Sequence, residues 1–577
     1  MNDTDMTKLM AAANTAFNCG RYNQAFAMLK KINNKQSLKN FNSVELQAKS
    51  LYNMDKPKRA LTVYTDLLSL ADNRKRRKTT WESIGKIHVE LKNHPAAITA
   101  FQNCILEDDT ISNAKNILLL CKLYRKNDNY QESEKLANKL LNWSDYFASA
   151  LHQLILIAKN QNDKALILSR THKLASHYRQ LSPFYIYYSI QTFLALDATT
   201  EGRTLLSKAK ILHGTPPWTV RLEAEFFFHD KQYPDVIRLL SDQLIKNLPS
   251  WIYKSLVFQL RGSANEKLKN YQQAFSDFSA MAKLVKAQVK HVNVQDDVEK
   301  YRKLNITSLP KSNEFQPKFQ SVFMIGFPRS GTTLLDMILA TQSEVVTLSE
   351  TGAITAVILA FQEKLKKQYP QALTKLSNDE ISLLRKVYYD YVAQLPQGEK
   401  INSDSIVIDK MPISTIHLPL ILTLFPNARI IFSLRHPLDV CLSNFQQDYV
   451  LNQEMYYLID FEDCIKRYRQ VLSLFDDYQK NLKPDLIFIR YEDLVNDLYT
   501  EAERVFSFLN ISQCDDYSLF HQQAKDKFIQ TPSRNQVKQP LYKTSIYKWK
   551  NYQQNIEQYI PRVQEFIDRY GYNETSL

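Results

Sequence analysis

The chain has few cysteines and none in a pattern that binds metal or staples a fold. Cys19, Cys104, Cys121, Cys441, Cys464 and Cys514 lie far apart in 577 residues. No C-x-x-C pair occurs, and none stands at metal-ligand spacing from a histidine, so no metal is expected. The six read as buried free thiols of a reducing compartment. No stretch approaches the roughly 18 consecutive apolar residues of a membrane span. The opening MNDTDMTK is polar and mildly acidic rather than basic-then-apolar, so no signal peptide is visible and the cytoplasm is the expected location. Nucleic-acid-binding motifs are missing too, as is any basic stripe with interleaved aromatics, so no nucleic acid is expected as partner.

What is present bounds the class. The length is too great for one core, so two or more domains are expected. Hydrophobic residues at 44% and charged residues at 23% fit a globular protein. A formal charge of +14 with pI about 9.1 suits anionic ligands.

The most informative stretch is FMIGFPRSGTT at 323–333. An apolar run from Val322 to Ile325 stops at Gly326. Gly331, Thr332 and Thr333 follow, then the apolar Leu334, Leu335, Met337, Ile338 and Leu339. That order predicts strand, glycine-bounded turn and helix, with backbone N–H groups and a helix N-terminus aimed at one point. Such a turn cradles a phosphate or a similar anion. The spacing nearly matches the G-x-x-x-x-G-K-[ST] nucleotide loop, but Thr332 stands in the lysine position and Arg329 supplies the charge inside the loop. A nucleotide-like anion is expected, and ordinary ATP hydrolysis is disfavoured.

From Leu9 to about Lys283 apolar residues recur at helical spacing. Polar breaks such as NCGRYNQA, LKNHPAA and LKNYQQA interrupt them. Small or apolar residues just after the breaks fall at Ala25, Ala60, Ala97, Ser133, Ala165, Val236 and Ala274. A period near 34 in helix–turn–helix units resembles the tetratricopeptide repeat. Trp81, Ile84, Gly85, His88, Ala97 and Phe101 form the best copy, and Phe258, Gly262, Ala274 and Phe278 another. These residues are expected to be core: small ones let paired helices approach, and large ones fill the gap to the next hairpin. About seven copies are expected, those near 165–215 being degenerate. Stacked hairpins of this kind commonly bind peptides or proteins, or shield and dimerise a neighbouring domain.

The second half alternates strands and helices. Short β-branched runs fall at 321–327, 405–412, 428–437 and 486–494. This is the βαβ rhythm of a mostly parallel sheet, whose ligands bind at the carboxyl ends of the strands. Arg329, Asp409, Lys410, Arg435, His436 and Tyr491 all fall at such ends. The expected architecture is α plus α/β: a helical repeat domain over 1–295, a linker over 296–319 and an α/β domain over 320–577.

On these residues the second half resembles the sulfotransferases that use 3′-phosphoadenosine 5′-phosphosulfate, in particular the tyrosylprotein branch. The resemblance rests on GFPRSGTT, RHPLDVCLS (Arg435 to Ser443), SET at 349–351, DKMP at 409–412, RYEDL, TPSRNQVKQP and YKWK. It implies that Arg329, Ser330, Gly331, Thr332 and Thr333 hold the 5′-phosphosulfate, and that Arg435 with Ser443 holds the 3′-phosphate. Glu350 is then the base and Lys410 the catalytic lysine, with Arg329 beside them. Tyr491, Ser533 and Lys548 also fall on family positions. The implied product is adenosine 3′,5′-bisphosphate, and no metal is needed.

The chemistry agrees, since sulfuryl transfer needs charge stabilised on the leaving and equatorial oxygens, and a base for the acceptor hydroxyl. Glu350 follows a short apolar stretch with little flanking positive charge, and half-burial would raise its pKa. His417 is a fallback base. Ser349, and Met411 after the lysine, depart from the branch pattern and leave a tyrosine acceptor open. The alternatives are a sulfotransferase acting on a small molecule, sugar or lipid, a kinase or NTPase with Asp409 holding Mg²⁺, and a non-catalytic repeat scaffold.

Overall fold

The computed structural model describes residues 3–34, 40–288, 298–310, 315–449, 452–511, 516–522, 537 and 539–572. Ser533 and Cys514 lie outside the described residues.

The first half is a run of antiparallel helix pairs. These are α1 and α2 (Asp3–Asn18, Tyr22–Asn33), α3 and α4 (Phe41–Asn53, Pro57–Leu67), α5 and α6 (Arg74–Glu90, His94–Glu107), and α7 and α8 (Ala114–Lys126, Tyr130–Leu140). Next come α9 and α10 (Ser144–Asn160, Lys164–Ala175) and α11 and α12 (Pro183–Ala195, Thr199–His213). The run ends with α13 to α15 (Pro217–His229, Tyr233–Leu239, Asp242–Asn247) and α16 and α17 (Trp251–Lys267, Tyr271–Gln288). Each pair turns on one left-handed residue: Gly20, Asp55, Lys92, Asp128, Asn162, Asp197, Lys231 and Lys269. By subtraction the gaps are 35, 37, 36, 34, 35, 34 and 38 residues. The period therefore runs unbroken through the stretch whose sequence copies are degenerate, and the described residues carry eight hairpins.

Glycine seats phenylalanine at three places in this array, twice within a hairpin (Gly85, Gly262) and once between consecutive hairpins (Gly202). A Cβ added at Gly85 would lie 2.9 Å from the Phe101 ring, at Gly262 2.9 Å from Phe278, and at Gly202 2.8 Å from Phe226. The aromatic ring is seated on the glycine itself, so the small and large positions read from sequence meet face to face.

A short helix α18 (Val298–Arg302) precedes the sheet. The strands are β1 (Gln320–Gly326), β2 (Val345–Ser349), β3 (Ile406–Lys410), β4 (Arg429–Leu434) and β5 (Asp485–Arg490), in the order β2-β3-β1-β4-β5 and all parallel. Both faces of the central strand are covered: Phe323 and Ile325 enter one apolar cluster, Val322 and Met324 the other. That explains the unbroken apolar run, which a half-exposed strand would interrupt. The crossover helices include α19 (Thr332–Leu339), α20 and α21 (Ala353–Glu363, Asn378–Gln394) and α22 (Leu418–Leu424). Beyond β4 come α23 (Pro437–Phe445), α24 and α25 (Gln453–Tyr456, Phe461–Leu482), α26 and α27 (Tyr491–Asn496, Leu498–Leu509), α28 (Gln553–Ile556) and α29 (Ile560–Arg569).

From β1 the chain winds to one side through β2 and β3, and from β4 it winds to the other. The direction reverses between β1 and β4, which opens a crevice at their carboxyl ends.

Residues 1–161 with 165–185 form one compact unit, and residues 162–164 with 186–577 form the other. The expected linker over 296–319 lies within the second of these units. The later hairpins belong with the sheet because they share its core: Phe275 and Phe278 of α17 pack on Phe445 of α23 at 5.0 and 6.0 Å between ring centres.

Candidate active site

The loop after β1 is built by close approach. A Cβ at Gly326 would lie 2.6 Å from the Ser433 carbonyl oxygen of neighbouring β4. Gly331 has φ 92° and caps α19, and a Cβ there would lie 2.6 Å from the Tyr491 ring. Only glycine fits at 331 on both counts. Between them Arg329 is held at φ 75°, a strained conformation for a residue with a Cβ. The Ser330 hydroxyl is buried with no partner, and Thr332 and Thr333 begin α19, also buried.

Arg329 donates from Nε to Ser443 Oγ at 3.1 Å. Burial pulls its pKa below the ordinary guanidinium value; Tyr449 opposes this and Arg435 adds to it. The resemblance put Ser443 with Arg435, whereas the structure puts it on Arg329.

Arg435 ends β4. Its Nη2 donates to the Ser545 carbonyl at 2.7 Å and its Nη1 to the Arg329 carbonyl at 3.3 Å. The guanidinium lies 4.8 Å from the centre of the Tyr491 ring, and Nε is buried without a partner. Asp439 does not form an ion pair with it: one carboxylate oxygen accepts the Trp549 N–H at 2.8 Å and the other has no partner. Burial raises the Asp439 pKa, against the pull of Arg435. Arg329, Gly331, Thr333, Arg435, Tyr491 and Tyr542 line one cleft. The glycine turn and Arg435 therefore border the same cleft.

Glu350 follows β2 and Lys410 ends β3, adjacent strands in register at Ser349 and Lys410. The Glu350 backbone N–H donates to the Lys410 carbonyl at 2.8 Å, and Lys410 Nζ lies 2.8 Å from Glu350 Oε1. Lys410 is fully buried and the Glu350 side chain is 43% exposed. Like Arg329, Glu350 is strained, with φ 54°. Glu350 is thus about half-buried, and although its flanking sequence carries little positive charge, Lys410 stands beside it. The cation sits on the next strand, where sequence distance hides it.

Asp409 is turned the other way. Alternation along β3 sends its carboxylate into the core, where it accepts the Tyr388 hydroxyl at 3.1 Å, and burial raises its pKa to about 7. His417 lies in an aromatic nest with Tyr301 and Tyr369, its Nδ1 3.0 Å from the Tyr369 hydroxyl. His436 stacks on Trp549 at 5.2 Å, and burial lowers its pKa to about 3. Lys548 Nζ lies 2.6 Å from Glu266 Oε1 on α16 and 3.0 Å from Gln446 Oε1.

Sequence reasoning passed over Tyr449, Tyr542, Gln446 and Glu266. Tyr449 donates to Asn444 at 2.7 Å, and burial pushes its phenol above the usual range. None of these four falls in a strand-end motif, and Glu266 reads as an ordinary surface residue of a repeat helix.

Residues 321–516 match the model of the sulfotransferase family. Over 313 residues the chain is 24% identical to an uncharacterised protein of Aquifex aeolicus strain VF5, covering 52% of this chain and 40% of that one. Over 249 residues it is 22% identical to protein-tyrosine sulfotransferase A of Caenorhabditis elegans, covering 42% of this chain and 64% of that one. The matches thus span less than two thirds of the length of either relative. The solved sulfotransferase domain from the curacin biosynthetic pathway is 19% identical, with 41% of this chain and 92% of that domain covered and a TM-score of 0.29. Residues 321–516 are thus similar to the sulfotransferase family, and they follow a run of paired helices. No described helix is long and apolar enough to cross a membrane.

Proposed function

We propose that this protein transfers a sulfuryl group from 3′-phosphoadenosine 5′-phosphosulfate to an acceptor hydroxyl, with a polypeptide tyrosine as the acceptor and the helical repeats as the surface that receives it. One observation carries the reading: Arg435 is a buried guanidinium with no carboxylate partner, its Nε open, on the wall of the same cleft as the glycine turn. A buried cation without a counter-charge is costly, so an anion is its natural complement. The residues fit a donor with two phosphate-type groups. Ser330 Oγ and Arg435 Nε are buried polar atoms awaiting partners, and the cradle at Gly331 is one that any Cβ would fill.

The turn N–H groups with Ser330, Thr332 and Thr333 hold the 5′ end, Arg435 holds the 3′-phosphate, and Tyr491 floors the cleft. Ser443 acts through Arg329, whose charge it fixes beside the loop. Lys548 supports the segment that carries Tyr542 and Ser545. The donor supplies the SO3 group. Glu350, exposed on one side, takes the acceptor's proton at a carboxylate oxygen. Lys410, buried behind it, places positive charge where the leaving oxygen gains electrons. The tyrosine acceptor is supported by the similarity to the Caenorhabditis elegans enzyme.

Calorimetry tests the reading. Adenosine 3′,5′-bisphosphate is expected to bind tightly and without metal, and ADP with magnesium weakly. Equal affinity for the two, or none for the first, overturns the donor assignment. A peptide array with labelled donor tests the acceptor, and labelling of sugars or lipids alone overturns the tyrosine assignment.

A further inference from the structure

Glu266 sits at the end of α16, in the last helical hairpin, yet its side chain is tied entirely to the sheet domain. Oε1 pairs with Lys548 Nζ at 2.6 Å. Oε2 accepts the Tyr552 hydroxyl at 2.6 Å and the Gln446 amide at 2.5 Å, and Gln446 Oε1 accepts Lys548 Nζ at 3.0 Å. Four side chains close one ring, anchored by a single carboxylate. Only 16% of the Glu266 side chain is exposed.

Two members of that ring lie on elements that lead to the proposed donor site. Gln446 caps α23, the helix that begins just after Arg435 and carries Ser443. Lys548 lies in the segment 542–549, whose Tyr542 lines the cleft, whose Ser545 carbonyl holds Arg435 at 2.7 Å, and whose Trp549 N–H is bonded to Asp439. Burial, which alone would raise the Glu266 pKa, is outweighed by Lys548, Tyr552 and Gln446, and the carboxylate is held below its ordinary value. Burial draws Lys548 below the ordinary lysine value too, opposed by Glu266. Three donors converge on the Glu266 carboxylate and hold it charged.

We propose that Glu266 is a positioning residue of the donor site: the repeat array supplies the carboxylate that fixes Lys548, and through it the 542–549 wall, against Arg435. The inference rests on the function proposed above. It implies that the helical array completes the nucleotide cleft as well as receiving the acceptor.

The test uses the full-length chain and adenosine 3′,5′-bisphosphate in calorimetry. Wild type that fails to bind the nucleotide overturns the functional reading itself and this inference with it. With wild-type binding in hand, Glu266→Gln is expected to weaken affinity about tenfold and to raise the donor KM by the same factor, with kcat nearly unchanged. Lys548→Met is expected to weaken binding similarly, and adding Glu266→Gln to it is expected to change little more. Wild-type affinity in Glu266→Gln, or full additivity of the two substitutions, overturns the proposal. A lowered melting temperature with unchanged donor KM also overturns it, since that marks a purely structural role. If Glu266→Gln does not fold, Tyr552→Phe removes one hydrogen bond from the same carboxylate. A two- to threefold rise in donor KM then supports the proposal, and no change overturns it.

Discussion

The helical array and the sheet use glycine in opposite ways. In the array Gly85, Gly202 and Gly262 each seat a phenylalanine ring, the contact at Gly85 being repeated at Gly262 with the same spacing. In the sheet Gly326 and Gly331 bring a strand and a tyrosine against one loop, and each contact occurs once. Repetition spreads stability over many equivalent places, so one loss stays local. The sheet concentrates its unusual geometry at strand ends, where one change reaches the chemistry.

The sharpest way to break this contrast is at the pair on β2 and β3. Glu350→Ala is expected to lower transfer by about 10²–10⁴-fold while nucleotide affinity stays within a few-fold, measured by steady-state kinetics and calorimetry. Full activity in that variant would remove Glu350 from the role of base.

Next in size is Arg435→Ala, expected to weaken adenosine 3′,5′-bisphosphate by roughly 10–100-fold, in line with about 1.5–3 kcal/mol for a charged hydrogen bond. Gly331→Ala meets both a strained φ and the Tyr491 ring and is expected to weaken binding comparably.

The copied contact gives a smaller effect. Gly85→Ala and Gly262→Ala each force a methyl against a ring and are expected to cost about 1–3 kcal/mol in thermal unfolding. Because the compact units divide near residue 185, only Gly262→Ala is expected also to disturb nucleotide affinity. Equal disturbance by Gly85→Ala would refute the division.

The smallest effect is a pH slope. Folded Asp409 keeps its proton up to about pH 7, whereas an unfolded aspartate loses it near its ordinary 3.8. Between those values the folded form binds more protons, so its contribution to stability is complete below about pH 4 and is lost as pH rises through 7. Asp409→Asn holds the neutral form throughout and is expected to flatten the fall in urea midpoint between pH 5 and 8. The gain at pH 8 should be about 1–2 kcal/mol, below the ceiling of about 4 kcal/mol that follows from 1.36 kcal/mol per pH unit. An unchanged slope would assign the decline to other groups.

Much of this was legible in the sequence because local rules govern it. The turn from Gly326 to Thr333 follows from spacing, the parallel strands from apolar runs, and the repeat period from Gly85, Phe101, Gly262 and Phe278. What stayed hidden depends on neighbours distant in the chain. Lys410 lies 60 residues from Glu350, and only strand register brings them together. Ser443 belongs to Arg329 across 114 residues, and Glu266 to Lys548 from the other half of the chain. The repeat count stayed open because residues 165–215 have lost the marker side chains. Their turn at Asp197 kept its backbone shape without them.

Those bends carry a practical consequence. Of the eight hairpin bends only one has glycine, while Asp55, Lys92, Asp128, Asn162, Asp197, Lys231 and Lys269 sit at φ between 56° and 64°. A lysine in that conformation costs about 1 kcal/mol relative to glycine. Lys92, Lys231 and Lys269 thus offer three surface positions where glycine or asparagine would harden the molecule against heat without touching its cleft.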